Sequence, residues 1–423
     1  MAESTADLFD SGLKLQKIAH NGAMNWFMKL HPIKTLWNLQ PTYILAQTSF
    51  IIGGVTTLIH ALLTGGRWPY LWIATVLHGI FIETICYILP DVDNFWHSTT
   101  PVMFLGGRLP LHIILLYPSF YCQATFAVTK MNLPQRIFPF AVGLFVVLID
   151  LPYDIMSVKF VHWTWHDTDP NIYDRHYWVP WNSYFFHATF SAGFTFWFNY
   201  SCDQSQSAKK NLQNRRGAIT ELKSVMCAVL LGAPTGILFF VLIYHPLHDV
   251  FKIHSEVTFF TLFSIFAMIV CTNMMTSGLR TPIRTEEKDH TKILISHLLI
   301  HYGLFYGCGI FGSPEKEVSI GLHEPVGPCN EYTSVQTVLG MVLKKRKYLC
   351  IEDYDEAYFD FHCIPGGPPS ERAIWYGICG TPFENRAEYI VIFSVITMIA
   401  GSTFYTLHKG STKKLDTRQK KKA

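Results

Sequence analysis

Of 423 residues, 49% are hydrophobic and only 15% are charged, against roughly 25% charged in a soluble domain. The net charge of +3 is too small to argue for a nucleic-acid partner, and the basic residues sit in short connections and in the C-terminal tail rather than in a patch. There is no internal repeat and no glycine-rich phosphate loop, which excludes solenoid architectures and P-loop chemistry.

Residues 1–10 are polar and acidic and do not read as a secretory signal, so the first span is expected to direct insertion. Residues 1–41 mix polar positions with Trp26, Phe27, Met28, Leu30 and Trp37 and read as an interfacial segment. The apolar residues then fall in blocks of membrane-spanning length, roughly 20 residues each. These are Thr42–Thr64, Pro69–Leu89, Leu109–Val128, Ile137–Lys159, Trp181–Tyr200, Lys223–Tyr244, Ser255–Ser277, Ile293–Phe311 and Glu388–Leu407. The expected fold is an all-α polytopic membrane bundle of about nine spans, within a range of eight to ten. Residues 42–312 form its core, 313–387 a long extracytosolic loop, 388–407 the last span and 408–423 a basic tail.

Orientation follows Lys and Arg in the short loops. Arg67, Lys130, Arg136, Lys209, Lys210, Arg215, Arg216, Arg280, Arg284, Lys288, Lys292 and the tail from Lys413 to Lys422 alternate onto one side, which is placed in the cytosol. The C-terminus is then cytosolic and the N-terminus lumenal. The sequon Asn199-Tyr-Ser201 falls at a cytosolic span end and is expected to stay unglycosylated. The ending Lys420-Lys-Lys-Ala423 resembles a dilysine retrieval signal, which implies the endoplasmic reticulum membrane.

The 313–387 segment carries Cys329, Cys350, Cys363 and Cys379. Four cysteines in a compact extracytosolic segment suggest two disulfides, in one of three pairings. It also holds an acidic and aromatic run from Asp353 to Phe361 and is expected to form a lid or a partner surface over the lumenal mouth.

The most informative stretch is residues 150–187, in which ionisable and aromatic residues gather between two spans. Asp150 and Asp154 are four apart, so a helix puts both carboxylates on one face. Charge in such a segment is expensive and marks a site by default. With this topology the unusual residues converge on the lumenal side: Glu83, the 90–97 loop ending Asn94-Phe-Trp-His97, Arg108, Asp150, Asp154, His162, His166, Asp167, Asp169, His176, His245, His248, Asp249 and His254.

Glu83, Gly106-Gly-Arg-Leu-Pro110, Asp150-Leu-Pro, Trp163-Thr-Trp165, Tyr177 and Val179-Pro-Trp181 occur in the order found in the integral-membrane carotenoid hydratases, which add water across the terminal double bond of a polyene. Residues 80–195 resemble that family; the His-Asp-Thr-Asp-Pro insertion, His187 and the 313–387 loop depart from it. The full chain resembles an uncharacterised multi-pass membrane family of animals. The hydratase likeness implies a carboxylic acid that protonates an alkene, aromatic faces that stabilise the cation, and water added with help from a base. Glu83 and Asp150, with Asp154 beside it, are the candidate acid and base. Trp163 and Trp165 are the candidate walls, and Trp96, Arg108, Tyr177 and Trp181 are further candidate substrate contacts. No cofactor is implied, and the expected partners are the lipid bilayer and an apolar or isoprenoid ligand.

Two other readings stand beside this one. The His162/His166, His245/His248 and His297/His301 pairs have the helical spacing of metal ligands, which points to a metal-dependent lipid enzyme. A bundle with an acidic, aromatic mouth also suits a non-catalytic lipid-binding or assembly factor.

Overall fold

The computed structural model describes residues 26–89, 92–276, 290–337, 340–354 and 356–409. Among them are nine long helices: α1 (Pro41–Thr64), α2 (Trp68–Ile88), α3 (Leu111–Thr129), α4 (Phe138–Lys159), α5 (Trp181–Asn199), α6 (Ala218–Phe239), α7 (Ser255–Thr276), α8 (Thr291–Phe311) and α9 (Arg386–Lys409). Eight are long and apolar enough to cross a membrane; in the fifth of these, α6 runs on in π-helical form to Val250. The protein is therefore a multi-pass helical membrane protein.

The helix outside that set is α5, which carries Asn182, Ser183, His187, Thr189, Ser191 and Thr195 among its aromatic residues. Such a helix would be costly against lipid, and it is instead enclosed: most of its residues are buried, and it packs between α4 and α6. A polar helix shielded by apolar neighbours is where a bundle builds a site. The loop basic residues Arg280, Arg284 and Lys288, and the tail with Lys420 to Ala423, lie outside the described residues.

The all-α expectation is corrected by short strands in the connections and in the 313–387 segment. Near the start, β1 (Met28–Leu30), β3 (Val102–Phe104) and β4 (Leu109–Pro110) form one antiparallel sheet, with β3 central. The turn between β3 and β4 runs through Gly106 and Gly107 at φ of 68° and 92°, a conformation natural to glycine. Antiparallel to β2 (Phe95–His97) runs β5 (Trp163–Trp165), with His97 opposite Trp163 and Phe95 opposite Trp165. The two-residue strands β6 (Arg175–His176) and β7 (Val179–Pro180) pair just before α5.

The long loop is a small β-rich cap. In it β8 (Val318–Leu322) and β11 (Phe359–Asp360) flank β12 (Trp375–Gly380), and β9 (Tyr332–Gln336) pairs with β10 (Val342–Arg346). Two disulfides close it, Cys329–Cys350 and Cys363–Cys379. They select one of the three pairings the sequence left open.

The cap is bolted to the 160–176 connection by buried polar contacts. His166 Nε2 lies 2.9 Å from Glu324 Oε1, Arg175 Nη1 is 2.8 Å from Glu356 Oε2, and Lys345 Nζ is 3.1 Å from Asp169 Oδ2. The Trp165 amide donates to Tyr358 Oη at 3.1 Å, and the Thr99 amide to the Ile320 carbonyl at 2.8 Å. Much of the charge that made this connection conspicuous in the sequence is therefore spent on docking the cap.

Candidate functional site

Beneath the cap, α2 to α6 enclose a cavity of about 380 Å³, within the ~300–1,000 Å³ typical of small-ligand sites. Its walls are mostly apolar and aromatic, and three carboxylates face it: Glu83 from α2 and Asp150 and Asp154 from α4. No Lys or Arg is among its lining residues.

The first acidic centre is Glu83. Tyr117 Oη on α3 donates to its Oε1 at 2.9 Å, and His97 Nε2 stands 4.0 Å from its Oε2. The Tyr117 ring lies against Gly79, one turn before Glu83, where a Cβ would come within 2.4 Å of Tyr117 Cδ2. The missing side chain is what lets the phenol reach the acid. Burial, with a smaller contribution from Arg108, pushes the His97 imidazole down to about 3. His97 therefore meets Glu83 as a neutral ring and not as an ion-pair partner.

The second centre is Asp150 and Asp154, one helical turn apart on α4, facing His187 on α5. One carboxylate oxygen of each and a His187 nitrogen lie within 4.8 Å of one another. His187 Nε2 is 3.4 Å from Asp150 Oδ2. Ser183 Oγ, one turn before His187, donates to Asp154 Oδ2 at 3.0 Å. The two carboxyls hydrogen-bond each other, and no other side chain donates to Asp150 or to Asp154 Oδ1. Pro152 stands between the two aspartates, inside the helix; it lacks the N–H that would otherwise close the turn there.

Strand alternation sets the roof. Successive side chains point to opposite faces, so Phe95 and His97 line the cavity and Trp96 does not; Trp163 and Trp165 line it and Thr164 does not. The Trp163 and His97 rings stack at 5.6 Å and 8°. Trp163 Nε1 donates to Ser157 Oγ at 2.7 Å, which anchors the indole. On the far wall the π-helical continuation of α6 supplies Phe240, Tyr244 and His245, in the kind of wide turn that recurs at functional sites.

Of the residues singled out from sequence, Glu83, Asn94, Phe95, His97, Asp150, Asp154, Trp163, Trp165 and His245 line this cavity, whereas Trp96, Arg108, Tyr177, Trp181, His162, His166 and His248 do not. Trp96 is buried on the reverse face of β2, beneath the Arg108 guanidinium at 5.3 Å. Arg108 pairs with Asp93 and donates to the Phe95 carbonyl at 3.0 Å. It lines only a cleft of about 10 Å³ that it shares with Glu83. Tyr177 reaches Glu388 at 3.3 Å, and Trp181 stacks on His176 at 4.8 Å.

The histidine pairs do not assemble as metal ligands. His162 and His166 flank β5 rather than sharing a helix face. His162 Nε2 is bonded to Thr42 Oγ1 at 2.9 Å, and His166 is taken by Glu324. His245 and His248 both hold Asp249, at 2.7 and 2.8 Å. His297 and His301 pack in the bundle interior, where Gln123 and the Ile149 carbonyl occupy one nitrogen of each.

Sequence reasoning assigns no role to Tyr117, Ser183 or His187. The signal for the last two was present: they are four apart on α5, the same spacing that drew attention to Asp150 and Asp154 on α4.

Fold and site together define a capped, multi-pass helical membrane protein with an acidic intramembrane cavity. The chain belongs to a protein family described as a domain of unknown function (DUF7802), whose profile matches residues 4–409. No curated protein and no solved structure matches it.

Proposed function

We propose that the cavity is the active site of a hydratase-like enzyme that acts on an apolar, isoprenoid-type or other lipid substrate. The observation that carries this reading is the set of three carboxylates on an apolar cavity with no Lys or Arg among the lining residues. Buried acids without an ion-pairing Lys or Arg are costly to the fold, and their retention favours a chemical use.

In this reading Glu83 gives a proton to one carbon of a double bond, forming a C–H bond. The resulting carbocation lies against the faces of Trp163 and Trp165, whose quadrupoles stabilise it. Water oriented at the Asp150–Asp154–His187 end adds to the second carbon and releases its proton to the cavity's acids, so the net change is addition of one water. Leu89 and Ile237 line the cavity and are also about half exposed, at 50% and 48%, which gives an apolar ligand a route from the bilayer. The order-based likeness to carotenoid hydratases adds support at Glu83, Asp150, Trp163 and Trp165; it fails to bring Tyr177 or Trp181 to the cavity.

We place the cap in the lumen of the endoplasmic reticulum and the C-terminus in the cytosol. Two disulfides favour an oxidising compartment. Asn199 is expected to carry no glycan on either topology, because its side chain is buried and held by Arg67 at 2.8 Å.

The test is incubation of the purified protein with apolar lipid extracts in ¹⁸O-labelled water, with mass spectrometry of the lipids. The reading expects products heavier by one labelled water, lost in Glu83→Gln while the protein remains monodisperse. Lipid retained by the protein without any labelled product would instead favour a non-catalytic lipid-binding role.

A further inference from the structure

We infer that Asp150, Asp154 and His187 bind one first-row divalent cation, such as zinc, manganese or ferrous iron, on the cavity wall. The inference goes beyond the proposed reaction and does not depend on the substrate.

Three independent features point to it. The first is geometry. Donor atoms around a tetrahedral ion with bonds of about 2.1 Å stand about 3.4 Å apart. His187 Nε2 and Asp150 Oδ2 are already 3.4 Å apart, and the whole trio lies within 4.8 Å, so a small contraction closes the set.

The second is the unmet charge of the acids. Asp150 is 1% exposed and Asp154 0%, and the two carboxyls hydrogen-bond each other. No Lys or Arg is among the described residues that line the cavity to balance them, and buried charges are ordinarily paired or coordinate a metal. A divalent cation that displaces the proton between them supplies the missing positive charge.

The third is support around the trio. Ser183 Oγ holds Asp154 Oδ2 at 3.0 Å, the arrangement that orients a ligating carboxylate. One imidazole and two carboxylates suit a borderline first-row ion better than calcium or magnesium, which favour all-oxygen shells. Three protein donors leave a coordination position facing the cavity, where a bound water would be activated. A second constellation of suitable residue types among the described residues, Asp360, His362 and Cys379, is not equivalent, because Cys379 is in a disulfide and offers no thiolate.

The experiment is elemental mass spectrometry of full-length protein purified in detergent without chelator, then repeated after incubation with zinc, manganese or ferrous iron. Stoichiometric metal is expected in the wild type and in Glu83→Gln. Asp150→Asn, Asp154→Asn and His187→Gln are expected to lose it. Ser183→Ala should weaken affinity by about 10–100-fold, as loss of a supporting hydrogen bond does. A wild type that takes up no metal under any of these conditions, or ligand variants that keep the wild-type content, would overturn the inference.

Should a ligand variant fail to fold, cobalt(II) added to the metal-free wild type decides the matter. Visible d–d absorption that saturates at one equivalent supports the site, and its absence removes it. Turnover without metal would leave the proposed reaction standing and remove only the cation. Metal without turnover would do the reverse.

Discussion

The two ends of α2 carry buried charge and treat it in opposite ways. At its start, Arg67 is fully buried and every arm of its guanidinium is occupied. Nε donates to Glu221 Oε2 at 2.9 Å, Nη1 to Asn199 Oδ1 at 2.8 Å and Nη2 to the Phe198 carbonyl at 2.7 Å, with the Phe198 ring 4.2 Å away. Arg216 Nε adds a second cation to Glu221 at 3.0 Å. Sixteen residues later, roughly 24 Å along the helix, Glu83 faces a cavity with no Lys or Arg among its lining residues, across which Asp150 and Asp154 have only each other, Ser183 and the His187 ring. The contrast separates a buried charge whose ion pairing is complete from buried acids whose ion pairing is left open for something that arrives later.

The largest expected effect breaks the satisfied end. Arg67→Met leaves Glu221 buried with half its partners and should cost about 3–5 kcal/mol of stability, read as loss of the monodisperse fraction on heating. Adding Glu221→Leu should recover much of that loss. Next is the cap. Replacing Cys363 and Cys379 by Ser opens a loop of sequence separation 16, which should cost the cap about 3 kcal/mol. Limited proteolysis should then cut within 313–387 while the helices stay intact.

Smaller effects come from pH. Burial raises the Glu317 carboxyl from 4.5 to about 8, against the opposing pull of hydrogen bonds from Thr42. Between these values the folded state holds a proton that the unfolded state has released. Stability from this group is therefore present below 4.5 and is lost as pH rises to 8, by up to about 1.4 kcal/mol per pH unit. Glu317→Gln should remove that slope, so its melting temperature relative to wild type should rise from pH 5 to pH 9.

His162 shows the opposite sign. Burial lowers it from 6.5 to about 3, so its contribution is intact above 6.5 and is lost as pH falls toward 3. His162→Gln should flatten the acid side of the same melting profile. The smallest effect sharpens the cavity roof: Trp163→Phe removes the bond to Ser157 and should cost about 1 kcal/mol.

How much of this could be read beforehand differs between helices and connections. The block expected at Ile137–Lys159 became Phe138–Lys159, because a long apolar run leaves the chain little choice in a membrane; the span expected at Trp181–Tyr200 is the helix Trp181–Asn199, too polar to count among the membrane-crossing helices and enclosed by its neighbours instead. Three-residue strands such as Phe95–His97 are too short for their alternation to be recognised alone; only pairing with Trp163–Trp165 reveals it. That is why the sequence points to Trp96 as a substrate contact, whereas His97 faces the cavity. The four-residue spacing of His162 and His166 suits a helix, and the intervening strand undoes it. The partners of His166, Asp169 and Arg175 lie more than 150 residues away in the cap, so their docking role was invisible. Asp150 and Asp154 were legible because two acids one turn apart in an apolar run conflict with every local preference, and such conflicts mark function.

The account rests most heavily on Asp150 being kept for what it binds and not for what it holds together. The direct measurement is thermal unfolding of Asp150→Asn beside wild type, both chelator-washed and in the same detergent. The expected result is a variant at least as stable as the wild type, since one member of a buried acidic pair with no Lys or Arg among the cavity's lining residues has been replaced by a neutral group of the same shape. A loss of stability comparable to that of Arg67→Met would contradict it and make Asp150 a structural residue.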